Sequence, residues 1–191
     1  MSISYLNNLN WSDWTREERF FCSCLYEQVN SDPAALVRLI NSETSLNLKE
    51  NVYWDIGYEV CLYRDYQWHR ASSPIGASQY SQKRTFDLCL FSEDTIVIIE
   101  AKAFGRFSEE DGNKLARDRK QIPELLAKPN LKVCTVALAS SIYFENHGKY
   151  GKPDILDAFD ARLTWHALFK TYHNALFEQA DKLYKSLPTF A

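Results

Sequence analysis

The stretch Arg84–Lys102, RTFDLCLFSEDTIVIIEAK, decides how the chain is read. It is mostly apolar and is broken once by the turn residues SEDT, Ser92 to Thr95, so two buried strands joined by a hairpin are expected. Yet it carries Asp87 near one end and Glu100 and Lys102 at the other. Side chains alternate faces along a strand, so Glu100 and Lys102 point one way and Ala101 the other. If the loop holds an even number of residues, cross-strand partners have numbers that sum to 187, and Asp87 stands opposite Glu100. A three-residue loop would send the two carboxylates to opposite faces.

Two carboxylates facing each other at about 5 Å repel unless something positive lies between them. A hard divalent cation such as Mg²⁺ is the natural candidate, held by Asp87, Glu100, the backbone carbonyl of Ala101 and waters. Lys102 is placed to orient or deprotonate an attacking water, or to hold the phosphate under attack. These are the tools of a phosphodiesterase. The competing account is an ordinary ion pair at a strand end, with Asp87 capping a bend.

The rest of the chain bounds this reading. Its 191 residues, 46% of them hydrophobic, suit one domain over residues 1–191. The net charge of −3 gives no global sign of a nucleic-acid binder, although a basic face can hide within it. The amino-terminal MSISYLNNLNWSDW lacks a charged, then apolar, leader pattern, and no apolar run is long enough to cross a bilayer. A cytoplasmic protein without membrane contact is expected. Of the five cysteines, Cys22 and Cys24 have no second pair to complete a zinc site, and the set reads as small core residues. The histidines His69, His147, His166 and His173 form no ligand pair at helical spacing.

Thr15 and Glu18 make a capping box for a helix running to about Val29, and Asp32-Pro33 opens a second helix. DIGYEVCLYRDYQW, Asp55 to Trp68, is rich in aromatic and β-branched residues and reads as a strand, followed by the loop RASSPIGASQYSQ. After the hairpin, Leu115, Ile122, Leu125 and Leu126 mark a helix despite Pro123. LKVCTVALAS reads as a strand buried on both faces, and Thr164 to Leu187 as one long closing helix. The expected order is helix, helix, three strands, helix, strand, helix.

Phe86-Asp87, twelve residues, then Glu100-Ala101-Lys102 at the end of an apolar strand resembles the PD-(D/E)xK nuclease superfamily, with Phe86 where the family has proline. The resemblance implies an α/β, restriction-endonuclease-like αβββαβ core: a central mixed sheet flanked by helices, here with the long carboxy-terminal helix added. It implies a Mg²⁺-dependent nuclease, most simply a DNA endonuclease, with Mn²⁺ able to substitute. Asp87, Glu100 and Lys102 would be catalytic, Glu18 on the first helix would complete the site with Glu17 as its alternative, and Gln121 would approach from the next helix. Lys83, Arg84, Arg106, Arg117, Arg119 and Lys120 would contact nucleic acid, with a second copy or a partner protein left open. The alternative is a nuclease-like domain without activity that serves as a nucleic-acid-binding or assembly module.

Overall fold

The computed structural model describes residues 4, 7–70, 80–150 and 153–184. Its helices are α1 (Trp11–Trp14), α2 (Glu18–Val29), α3 (Pro33–Glu43), α4 (Leu62–His69), α5 (Glu109–Leu125), α6 (Ser141–Tyr150), α7 (Trp165–Tyr172) and α8 (Ala175–Leu183). The strands are β1 (Asp55–Val60), β2 (Phe86–Phe91), β3 (Thr95–Ala101), β4 (Lys132–Ala139) and β5 (Ala161–Thr164), with a 3₁₀ turn at Pro153–Ala158 before the last. They form one mixed sheet in the order β1-β2-β3-β4-β5. The first three strands are antiparallel, and β4 and β5 run parallel to β3.

The hairpin has the even loop. Leu88 pairs with Ile99 and Phe91 with Ile96, so partner numbers sum to 187. The turn is closed by the Ser92 amide donating to the Thr95 carbonyl at 2.8 Å, and by the Thr95 amide donating to Ser92 Oγ at 3.1 Å. Strand β3 is buried on both faces. Val97 and Ile99 join a core layer built with α2, α3, α7 and α8, while Ile96 and Ile98 join a second layer with Leu115, Ile122 and Leu125 of α5. Each fully buried aliphatic chain of this kind contributes roughly 1.5–3 kcal/mol, so β3 is the mechanical centre on which the charged residues at its end are mounted.

Three expected elements differ. The predicted strand to Trp68 stops at Val60, and residues 62–69 coil into α4, because a helix there drives Tyr63 into the second core layer. The capping box is absent. Helix α2 starts at Glu18 with Glu17 as N-cap, and Thr15 instead ends α1 while its Oγ1 accepts from the Glu17 amide at 3.3 Å. The single closing helix is two helices, broken where His173 takes a left-handed conformation (φ 53°) and the Asn174 side chain caps α8. Of the predicted 70–82 loop, residues 71–79 lie outside the described residues.

Candidate functional site

The charged residues gather where β2 begins and β3 ends. Asp87 does not project squarely from the sheet, since its Oδ2 accepts the Ala101 amide at 2.7 Å and closes the ladder one step beyond Leu88–Ile99. Glu100 follows the alternation of Ile96 and Ile98 toward the α5 layer, where its Oε1 accepts from Arg84 Nη2 at 2.6 Å. Lys102 leaves the strand and reaches Glu18 of α2, with Nζ 3.1 Å from Oε1. Its backbone is pinned on both sides, the amide donating to the Leu138 carbonyl at 2.8 Å and the carbonyl accepting from Trp165 Nε1 at 3.1 Å. The β2–β3 end thus carries two ion pairs, Lys102–Glu18 and Arg84–Glu100, with Asp87 near enough to act on each acid. The two hairpin carboxylates nevertheless take different partners.

Burial sets the electrostatics. It pushes the Glu18 carboxyl up from the ordinary range, with Lys102 pulling it down and Asp87 adding to the rise. It raises Asp87 too, against the opposing pull of the Ala101 amide and Lys102. Glu100 is pushed up to about 7 by burial, opposed by Arg84 and reinforced by Asp87. For Lys102, burial works against the charge, but Glu18 and, to a smaller extent, Asp87 and Asp111 together outweigh it and hold the amine above its usual value. Lys102 is therefore an ammonium at neutral pH. It can serve as a cation and hydrogen-bond donor, not as a base.

Beyond Glu100 lies a network that sequence reasoning did not foresee. Arg84 Nε donates to Asp118 Oδ2 at 3.0 Å, and the Tyr63 hydroxyl donates to Asp118 Oδ1 at 2.7 Å. Asp118 is only 3% exposed. One signal was present in the sequence: Asp118 falls on the apolar stripe Leu115, Ile122, Leu125 of α5, where an acid needs a buried partner.

Arg84 and Asp118 also line a cleft of about 530 Å³ whose other walls include Arg19, Lys83, Lys114, Arg117, Gln121 and Tyr63. Five of its lining side chains are cationic and one is an acid. Of the expected nucleic-acid contacts, Lys83, Arg84 and Arg117 face this cleft, as does Gln121. Arg106 and Lys120 are exposed outside its lining. Arg119 turns inward, donating to the Ala158 carbonyl at 2.8 Å and Asp160 Oδ2 at 2.9 Å, and ties α5 to the segment before β5. Arg19, far from the motif along the chain, and Lys114, one turn before Arg117 on α5, are the cations that sequence reading overlooked.

Among the described residues no group of three or more His, Cys, Asp and Glu is gathered to hold a metal ion. The donor set still fits one. Magnesium keeps most of its waters and takes one or two carboxylates plus phosphate oxygens, so Asp87 and Glu100 suffice as protein ligands. Burial disfavours ionisation of both carboxyls, with Asp87 adding to the rise at Glu100, and added positive charge would favour the ionised form of each. Among the described residues no helix is long and apolar enough to cross a membrane. Compared with family models, curated proteins and solved structures, the chain matches none.

Proposed function

We propose that the chain is a metal-dependent phosphodiester hydrolase of nucleic acid, with DNA as the first substrate to test and with a restriction-endonuclease-like arrangement of its core. The observation that carries the reading is the junction of two unlike surfaces. Acids and one half-buried ammonium lie at the β2–β3 end, and a cleft lined by five cations opens beside them. Bound at Asp87 and Glu100, Mg²⁺ would supply Lewis-acid neutralisation of the phosphodiester.

The chain's own residues do the remainder. Lys83, Lys114 and Arg117 draw the phosphate backbone into the cleft. Water attacks phosphorus, a carboxylate takes its proton, the bond from phosphorus to the leaving oxygen breaks, and that oxygen takes a proton from solvent to depart as a hydroxyl. Lys102, fixed by Glu18, donates to the charge that builds on the phosphoryl oxygens. A second reading, nucleic-acid binding without cleavage, is favoured by one fact: Arg84 and Lys102 already neutralise Glu100 and Glu18 internally.

Digestion of a panel of duplex, branched and single-stranded DNA and RNA, with Mg²⁺, with Mn²⁺ and with chelator, separates the two. Cleavage that needs the ion and is lost in Lys102→Ala by on the order of a hundredfold supports the hydrolase. Tight binding with no cleavage of any member supports the binding module.

A further inference from the structure

Arg84 belongs to both surfaces. Its Nη2 donates to Glu100 Oε1 at 2.6 Å, and the same side chain lines the basic cleft. Its Nε is bound separately, to Asp118 at 3.0 Å, and that carboxylate is buried and held by Tyr63. The guanidinium thus hangs from a pivot at Nε and rests on the Phe86 ring at 4.6 Å, with Nη1 making only a long 3.4 Å contact to the Thr85 carbonyl, so the arm that reaches Glu100 can turn over the ring without breaking the Asp118 bond. A cation that comes to Glu100 meets a competitor there, and an arginine cannot withdraw by losing its proton. It can only move. The place open to it is the cleft, where a phosphate oxygen offers an acceptor as strong as the carboxylate it would leave.

We propose that Arg84 is a movable counter-ion. In the metal-free protein it holds Glu100; when a divalent cation takes Glu100, Arg84 swings about its Asp118 bond to receive a phosphate in the cleft, so cation and phosphate bind cooperatively. The inference rests on the metal-binding reading above and adds to it an order of events. Arg84 is a positioning residue in the metal-free protein and a substrate contact in the loaded one. Asp118 and Tyr63 serve to keep the pivot still.

The test measures Mn²⁺ affinity from the free-ion electron paramagnetic resonance signal at pH 8, above the value to which burial lifts Glu100. Sulfate stands in for the phosphate dianion, and chloride matches the ionic strength. Arg84→Met removes the competitor and should tighten Mn²⁺ binding by about tenfold, while Asp118→Asn leaves Arg84 with Glu100 as its sole carboxylate and should weaken it. Sulfate should tighten Mn²⁺ binding in the wild type and lose that effect in Arg84→Met. A purely structural Arg84 would weaken binding in both variants, and that result overturns the proposal while leaving the metal reading intact. A wild type that binds no Mn²⁺ overturns both. Should Arg84→Met fail to fold, nitrogen-15 spectra of the wild-type Arg84 side chain decide the matter. Rotation of its Nη groups should quicken on addition of Mg²⁺ while the Nε–H signal is retained, and an Nη group equally restrained with and without bound Mg²⁺ overturns the proposal.

Discussion

Replacing Glu100 by glutamine should make the metal-free protein more stable at pH 8, although it removes a residue placed in the site. Burial, with Asp87 beside it, lifts the Glu100 carboxyl from 4.5 to about 7. Between those values the folded chain keeps a proton that the unfolded chain has released, so stability falls as pH rises through the window and is constant above it. The full change is about 3 kcal/mol, at about 1.4 kcal/mol per pH unit across the interval from 4.5 to about 7. Glutamine copies the protonated acid in shape and can still accept from Arg84 through its amide oxygen. Glu100→Gln should therefore match wild type near pH 4.5 and exceed it by about 3 kcal/mol at pH 8, or roughly 6–12 °C in Tm for a chain of this length. The assay is a series of thermal melts in chelator from pH 4.5 to 8.5, read as the difference between variant and wild type. Titration of groups that do not interact with Glu100 cancels in that difference. A difference that does not change with pH refutes the argument, for Glu100 would then ionise in the folded chain as it does in the unfolded one.

Other perturbations divide the site by role. Asp87→Asn keeps an acceptor for the Ala101 amide and so keeps the fold; wild type should gain about 2.7 kcal/mol from Mn²⁺ at a hundred times its Kd, and the variant should lose most of that gain in melts with and without the ion. Lys83→Ala and Arg117→Ala should each weaken DNA binding and reduce the slope of log affinity against log salt by about one, measured by fluorescence anisotropy. Arg119→Ala should leave that slope untouched and instead destabilise the fold by about 1–3 kcal/mol in urea melts, because its guanidinium closes a network with Thr135, Ala158 and Asp160.

Where apolar periodicity was long and unbroken, the sequence could be read. The α2 stripe Phe21, Cys22, Leu25, Val29 and the two-faced burial of β3 and β4 follow from residue type alone. The hairpin itself was legible but its register only up to the parity of the loop, because β2 and β3 are apolar on both faces and either parity would bury them; the even loop of the structure decides it. The α4 segment misled because Tyr63, Tyr66 and Trp68 favour strands intrinsically, and only the second core layer, formed by distant residues, rewards Tyr63 for coiling. The break between α7 and α8 was hidden because the heptad-like spacing from Trp165 to Leu183 runs straight through His173. In the site, Asp87, Glu100 and Lys102 could be found from alternation. The Arg84–Asp118 pair could not, since its members lie 34 residues apart and neither fits a motif.

One backbone irregularity explains why Glu100 finds an arginine rather than only Asp87. Residues two apart on a strand share a face, yet Tyr58 and Leu88 pack in the first core layer while Val60 and Phe86 pack in the second. The strand pair is rotated between them, at Glu59, whose φ of 51° is left-handed and costs on the order of 1–2 kcal/mol for a residue with a side chain. The exposed Arg19–Glu59 pair at 3.3 Å is too solvated to offset that. The burial of Phe86 against Tyr63 does so, with ring centroids 6.4 Å apart. Turning Phe86 over carries the preceding chain with it, and Arg84 settles 4.6 Å above the Phe86 ring, on the α5 side of the sheet. There it meets Asp118 and Glu100 together. Asp87, at the pivot of the rotation, is left at the ladder's end, bonding to Ala101 and close enough to raise the pKa of both Glu18 and Glu100. The strain at Glu59 and the division of labour between the two hairpin acids are thus one feature of the fold.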